Sequence, residues 1–134
     1  MRYLIDTNIF IFYISNLNNL DKDVISIIEN YENTIFLSSE SVKEIIHLYQ
    51  NDRIRLKTEN IIDFIESQQG FIIKYVTKQH LSMLERLPVI GKHNDPTDRL
   101  IIAQAISEKI PLISSDKKFE QYRKYNLNFI FNNK

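Results

Sequence analysis

Cysteine is absent from the 134 residues, which excludes disulfides, thiolate catalysis and cysteine-based zinc sites. Any metal must therefore be held through oxygen or imidazole. Tryptophan is absent too, and only two glycines and three prolines occur. Gly70, Gly91, Pro88, Pro96 and Pro111 fall between apolar segments, so no flexible linker, repeat or low-complexity tract divides the chain. Charge of one sign is not in excess: seventeen Lys and Arg stand against seventeen Asp and Glu. That balance argues against coating nucleic acid by bulk electrostatics, although a local basic surface or a bound metal could still hold a phosphodiester. Long hydrophobic runs are also missing. The longest, Ile9 to Ile14, is far short of the roughly 18 residues needed to span a bilayer, and Asp6 arrives too early for a signal peptide. A cytoplasmic protein is expected. What is present is a 43% apolar composition, enough for a core, in a length that suits one domain over residues 1–134.

The apolar segments alternate between strand-like and helix-like. Tyr3-Leu4-Ile5 is a short β run ending at Asp6, and Ile9 to Ile14 reads as helix because Asp6-Thr7-Asn8 is capping chemistry. Asp21 to Tyr31 has helical spacing, Thr34 to Leu37 is a second strand, and a helix runs from Ser39 or Ser41 to Tyr49. Another helix extends from about Thr58 to the Gln68-Gln69-Gly70 stop, followed by a strand over Phe71 to Val76. Thr77 caps a helix ending before Pro88, and Asp95-Pro96 opens one reaching Lys109. A strand at Leu112 to Ser114, a short helix from Asp116 to Tyr125 and a strand from Asn128 to Phe131 complete the chain. Strands separated by helices predict an α/β fold of three layers, α/β/α, around a mostly parallel sheet.

In such a sheet ligands bind beyond the carboxyl ends of the strands. Asp6 follows the first strand, Glu44 lies on the helix after the second, Asp98 opens the helix after Pro96, and Asp116 follows the fourth strand. Each has a local explanation. Asp6 and Asp116 can cap the helices that follow them, Glu44 can close a capping box with Ser41, and Asp98 lies three residues after a capping Asp95. Together they are harder to explain, because carboxylates about 4 Å apart at an effective dielectric near 20 repel by roughly 4 kcal/mol per pair. A divalent cation would supply the missing charge. An all-oxygen ligand set suits Mg²⁺ or Mn²⁺, which can activate water against a phosphodiester without a side-chain nucleophile. His47, His80 and His93 lack the HExxH spacing and are read as surface or helix residues rather than ligands.

With these residues in place, the sequence resembles the PIN-domain ribonucleases, and within them the VapC-type toxins of toxin–antitoxin pairs. Tyr3-Leu4-Ile5-Asp6-Thr7-Asn8 is similar to the family's opening strand and first metal-site Asp, and Ser38 to Ile45 to its Glu-bearing helix. Leu87-Pro88 followed by His93-Asn94-Asp95-Pro96-Thr97-Asp98-Arg99-Leu100-Ile101-Ile102-Ala103-Gln104-Ala105 resembles the H-x-D-P-F-D-R-x-L-x-A-Q-A signature of one subgroup, with Thr97 in place of Phe. Leu112 to Phe119 resembles the family's strand, small hydroxyl residue and final Asp.

The resemblance implies a PIN-like fold and a Mg²⁺- or Mn²⁺-dependent endoribonuclease. It assigns the metal to Asp6, Glu44, Asp98 and Asp116, with Glu40 as the alternative to Glu44 and Asp95 mainly a cap. Thr7, Asn8, Ser114 and Ser115 correspond to positions that orient the carboxylates, ordinary capping being their other reading. Arg99 is expected to pair with a carboxylate or reach a phosphate, while Lys117, with Lys92 and Lys118, could help hold RNA. Arg53, Arg55 and Lys57 read as a solvated run. The implied partners are RNA, a cognate antitoxin and a second copy in a homodimer, with no membrane. The antitoxin would need an exposed apolar groove, expected around Ile9–Ile14 and Val42–Tyr49. The competing reading is a non-catalytic PIN-fold module that binds RNA or a protein without cutting.

Overall fold

The computed structural model describes residues 1–57 and 60–134. Its strands are β1 (Arg2–Ile5), β2 (Thr34–Ser38), β3 (Ile72–Lys74), β4 (Leu112–Ser114) and β5 (Phe129–Phe131), in the all-parallel order β3-β2-β1-β4-β5. The helices are α1 (Thr7–Ser15), α2 (Lys22–Glu29), α3 (Ser39–Gln50), α4 (Ile61–Ser67), α5 (Lys78–Arg86) and α6 (Pro96–Glu108), with 3₁₀ turns at Leu17–Asn19 and Lys117–Tyr125. From β1 the chain winds to β2 and β3 on one side, then crosses back through α5 and α6 to β4 on the other. The direction of winding thus reverses at β1, and the carboxyl ends of β1 and β4 lie side by side at the point where sheets of this kind form their crevice.

The pleat divides the core into two layers. Ile5, Ile35, Leu37, Ile73 and Ile113 face one cluster, closed by Ile9 and Phe10 of α1, Val24 and Ile28 of α2, Val42 and Ile45 of α3, and Ile61 and Ile65 of α4. Leu4 and Leu112, alternate residues on the same strands, face the other, closed by Ile101, Ile102 and Ala105 of α6 with Phe119 and Tyr122. This is the expected α/β/α sandwich, with a sheet parallel throughout.

Several boundaries differ from the sequence expectation. The strand expected over Phe71 to Val76 is only three residues long, because its partner β2 ends at Ser38, opposite Lys74, and turns into α3. The helix expected to reach Tyr31 stops at Glu29. Asn30 closes a turn by accepting the Asn33 and Glu32 N–H groups on its carbonyl and side chain, and Tyr31 is left 92% exposed. The segment after Asp116 is 3₁₀ rather than α. The expected start of the fourth helix at Thr58 lies outside the described residues.

On the α5/α6 side His80 is deeply buried. His80, at the third position of α5, accepts the Thr77 N–H on Nδ1 (3.0 Å) and places Nε2 2.6 Å from Glu108, which also binds Lys74 at 2.7 Å. This network ties β3, α5 and α6 together by filling the hydrogen-bonding capacity of a buried imidazole. On the opposite face Phe10 packs edge-on against Phe71 at 5.4 Å between ring centroids. Phe10→Ala is expected to cost about 3–5 kcal/mol through lost burial and the cavity left behind. Urea unfolding followed by circular dichroism measures this, with an unchanged unfolding slope expected.

Candidate metal centre

Asp6 is fixed first by the backbone, because its N–H donates to the Ile113 carbonyl (2.9 Å) and so continues the β1–β4 pairing past the last residue of β1. Its side chain is 5% exposed. One oxygen accepts the Thr7 N–H at 2.8 Å, which caps α1, and the other accepts the Ser114 hydroxyl at 2.7 Å. The Ser114 oxygen in turn accepts the Asp116 N–H at 3.0 Å. A single buried hydroxyl therefore orients Asp6 and pins the backbone of Asp116 in the same crevice. Asp116 also caps the 3₁₀ turn, accepting the Lys118 N–H at 2.9 Å.

The remaining hydroxyls fasten the surrounding elements. Thr7 donates to Ser41 at 2.7 Å, joining α1 to the helix that carries Glu44. Ser115 accepts from the Asn132 amide at 2.8 Å, and Asn132 also bonds the Asn19 carbonyl, the Asp21 N–H and the Ser114 carbonyl. Ser115 thus clamps the carboxyl-terminal tail rather than a carboxylate. Asn8 is exposed on the first turn of α1.

Asp98 comes from the far side of the crevice. Asp95 caps α6 by accepting the Asp98 N–H at 3.0 Å, Pro96 occupies the first turn, and the Asp98 carboxyl is left free to face inward. There it meets a residue that the sequence reading set aside. His93 is buried, not a surface or helix residue: its Nε2 lies 3.2 Å from Asp98 Oδ2 and its Nδ1 lies 2.7 Å from the Tyr122 hydroxyl. It is brought there by a turn closed by the His93 N–H on the Ile90 carbonyl (2.9 Å), with Gly91 at φ +53°. Ligand atoms of His93, Asp98 and Asp116 all lie within 4.8 Å of one another. The signal was present in the motif, where His93 precedes Asp95-Pro96 by two residues, but the HExxH test could not register it. Tyr122 and Asn132 carried no comparable signal.

Glu44 and Glu40 separate clearly. Glu40 is in the first turn of α3 and pairs with Lys43 at 3.4 Å, whereas Glu44 is exposed one turn later. Since α3 begins at Ser39 with Ser38 as its cap, the capping-box explanation of Glu44 is lost. Its charge is felt at both inner acids. Burial, opposed by the Ser114 and Thr7 hydrogen bonds but reinforced by Asp98 and Glu44, pushes the Asp6 carboxyl up to about 7. Asp98 is likewise raised to about 7, by burial first and then by the charges of Asp95, Asp116 and Glu44, with Lys118 opposing.

Thus Asp6, Glu44, Asp98 and Asp116 form one electrostatic cluster. Among the described residues, no lysine or arginine makes an ion pair with any of the four. Arg99 donates instead to the carbonyls of Pro88 (2.9 Å) and Leu87 (3.0 Å), anchoring the segment that leads into the His93 turn. Lys117 is exposed beside Asp116, with Nζ 5.9 Å from the Phe131 ring centroid, and Lys92 and Lys118 are also exposed. Uncompensated carboxylates with one imidazole at their edge are a donor set that fits a hard divalent cation.

Comparison with known proteins accords with this architecture. The chain resembles a chain of the crystal structure of VapBC2 from Rickettsia felis bound to a DNA fragment from their promoter, at 24% identity and a TM-score of 0.66, covering 98% of both chains. It resembles a chain of VapBC-1 from nontypeable Haemophilus influenzae at 21% identity and a TM-score of 0.70, covering 100% of both. These likenesses show a shared fold. Comparison with the curated proteins finds no match. The family model of the PIN domain matches residues 3–125, nearly the whole of the chain just described, and the chain belongs to that family.

Proposed function

We propose that this protein is the toxin of a toxin–antitoxin pair, an endoribonuclease that hydrolyses RNA phosphodiester bonds with Mg²⁺ or Mn²⁺. The observation that carries the reading is the electrostatic cluster of four carboxylates, none paired with a lysine or arginine among the described residues, placed where the sheet's winding reverses. Asp6, Glu44, Asp98 and Asp116 would hold the cation, which when bound supplies positive charge for the phosphate and lowers the pKa of a water. The chain's own part is positioning. Ser114 holds Asp6 and the Asp116 backbone together, Thr7 fixes α1 to α3, and the exposed Lys92, Lys117 and Lys118 give the acidic rim a basic border for the RNA backbone. Cellular RNA as substrate places the activity in the cytoplasm; no helix among the described residues is long and apolar enough to cross a membrane.

A groove of about 510 Å³ supports the antitoxin as partner. Ile11 and Ile14 of α1, Ile54, Leu56 and Phe64 form its apolar wall, and Arg53, Arg55 and Lys57 its basic lip. It lies partly where the sequence reading expected it. Ile11 and Ile14 line it, but Val42 and Ile45 are buried in the core and α3 gives no wall. The basic run read as merely solvated would meet acidic residues beside the apolar face of a docked segment.

Asp6→Asn and Asp98→Asn are each expected to lower metal-dependent cleavage of a labelled single-stranded RNA by about 100-fold or more, with the circular dichroism spectrum retained. Full activity in both variants would sink the assignment. RNA binding without turnover in the unaltered protein would favour the non-catalytic module. Glu44→Gln is expected to lose activity likewise, and Glu40→Gln to keep it.

The raised carboxyls give a pH signature. Below about 7 Asp6 and Asp98 carry protons that a cation must displace, so Mn²⁺ affinity should rise from pH 6 to pH 8 and then level off. Calorimetric titration in buffers of different ionisation enthalpy should show up to about two protons released per ion at pH 6, falling toward none at pH 8.5. A pH-independent affinity would contradict the cluster's role.

A further inference from the structure

Resting on the metal-site reading just given, the geometry points to Tyr122 and His93 as positioning residues, a hydrogen-bonded relay that fixes one tautomer of His93 and thereby one oxygen of Asp98. His93 is buried with a polar partner at each nitrogen, the Tyr122 hydroxyl at 2.7 Å from Nδ1 and Asp98 Oδ2 at 3.2 Å from Nε2. An Asp98 that holds a cation is a carboxylate and can only accept. In a neutral imidazole Nε2 must then carry the hydrogen and donate to Oδ2, which leaves Nδ1 as an acceptor and obliges the Tyr122 hydroxyl to donate. Every direction in the chain follows from the charge at its end.

Packing keeps the relay in place. The imidazole stands edge-on to Tyr122 at 5.5 Å between centroids and tilted to Phe119 at 6.0 Å, and both rings are fully buried in the α6 layer of the core. Main-chain contacts hold it from behind: the Gly91 turn returns His93 toward α6, and Arg99 holds the carbonyls of Leu87 and Pro88. The arrangement parallels that on the opposite wall, where Ser114 holds one oxygen of Asp6. Each inner acid thus has one oxygen held by a neutral donor from the core, the kind of outer support that sets the aim of a metal-holding carboxylate. In the relay His93 would act on the cation site through Asp98 rather than bond the cation.

The relay is tested on the full-length protein at pH 8.5 by long-range proton–nitrogen correlation of ¹⁵N-labelled histidine rings without metal. The unaltered protein should show His93 as a single Nε2–H tautomer. Tyr122→Phe, which keeps ring and volume but leaves Nδ1 without its donor, should keep the Nε2–H tautomer, shift the Nδ1 resonance and give about tenfold weaker Mn²⁺ binding by calorimetry. His93→Ala should weaken it about 10- to 100-fold, and His93→Gln, whose amide N–H can reach the place of Nε2–H, should recover most of the loss. Electron spin-echo spectra of bound Mn²⁺ should show no nitrogen of His93 bonded directly to the ion. An Nδ1–H tautomer in the unaltered protein, unchanged Mn²⁺ affinity in Tyr122→Phe, or a direct manganese–nitrogen coupling each overturns the relay. A protein that meets these expectations yet cuts no RNA sustains the relay and overturns the nuclease reading instead.

Discussion

The constraint on which the molecule depends is the burial of Asp6 where β1 meets β4. A carboxyl group at that depth is tolerated only because two donors reach it, the Thr7 N–H that begins α1 and the hydroxyl of Ser114 at the end of β4. Removing either would leave a buried acceptor short of a partner. The pairing therefore fixes more than a side chain: it sets where β1 ends, how α1 leaves the sheet, and how close the Asp116 backbone comes to Asp6. The site and the strand junction are one structure, and neither could shift without the other.

The fold was legible to the extent that the two periodicities of the sequence were clean. Leu4 and Ile5, or Leu112 and Ile113, are adjacent apolar residues that go to opposite faces, which only a strand buried on both sides explains. Boundaries were less legible because tertiary pairing decided them: Tyr75 and Val76 have strand composition, but β2 has already turned into α3 beside them. Tyr31 continued a helical spacing, yet the side chain and carbonyl of Asn30 found nearer partners and closed a turn.

The acids were legible and the imidazole was not, for a physical reason. Carboxylates declare themselves by position, each following a strand or opening a helix, so their convergence can be inferred from topology alone. Histidine has no such positional rule. His80 and His93 are both buried and both hydrogen-bonded to a carboxylate, yet one joins α5 to α6 beside a lysine, and the other faces acids that no lysine or arginine pairs with among the described residues. What separates them is the company of the carboxylate, which depends on contacts across the fold. Arg99 shows the converse: beside Asp98 in sequence it suggested a charge partner, but its guanidinium points to the carbonyls of Leu87 and Pro88.

Capping, which the sequence set against metal holding, leaves acceptor positions free at Asp6 and Asp116, because a carboxylate has about four of them and a cap occupies one. Asp116 gives one oxygen to the Lys118 N–H, and Asp6 gives one to Thr7. Asp98 is freed from that duty by Asp95, which receives the Asp98 N–H and leaves the whole inner carboxyl to face His93 and the crevice. Local helix chemistry therefore does the aiming. A cap holds its carboxylate at a set distance and direction from a helix start, and the β1–β4 junction brings two such starts together. The α3 acid, with no cap to perform, is the one left exposed at the rim and felt by the others mainly through its charge. Asp6, Asp98 and Asp116 are each held by hydrogen bonds, whereas Glu44 is exposed.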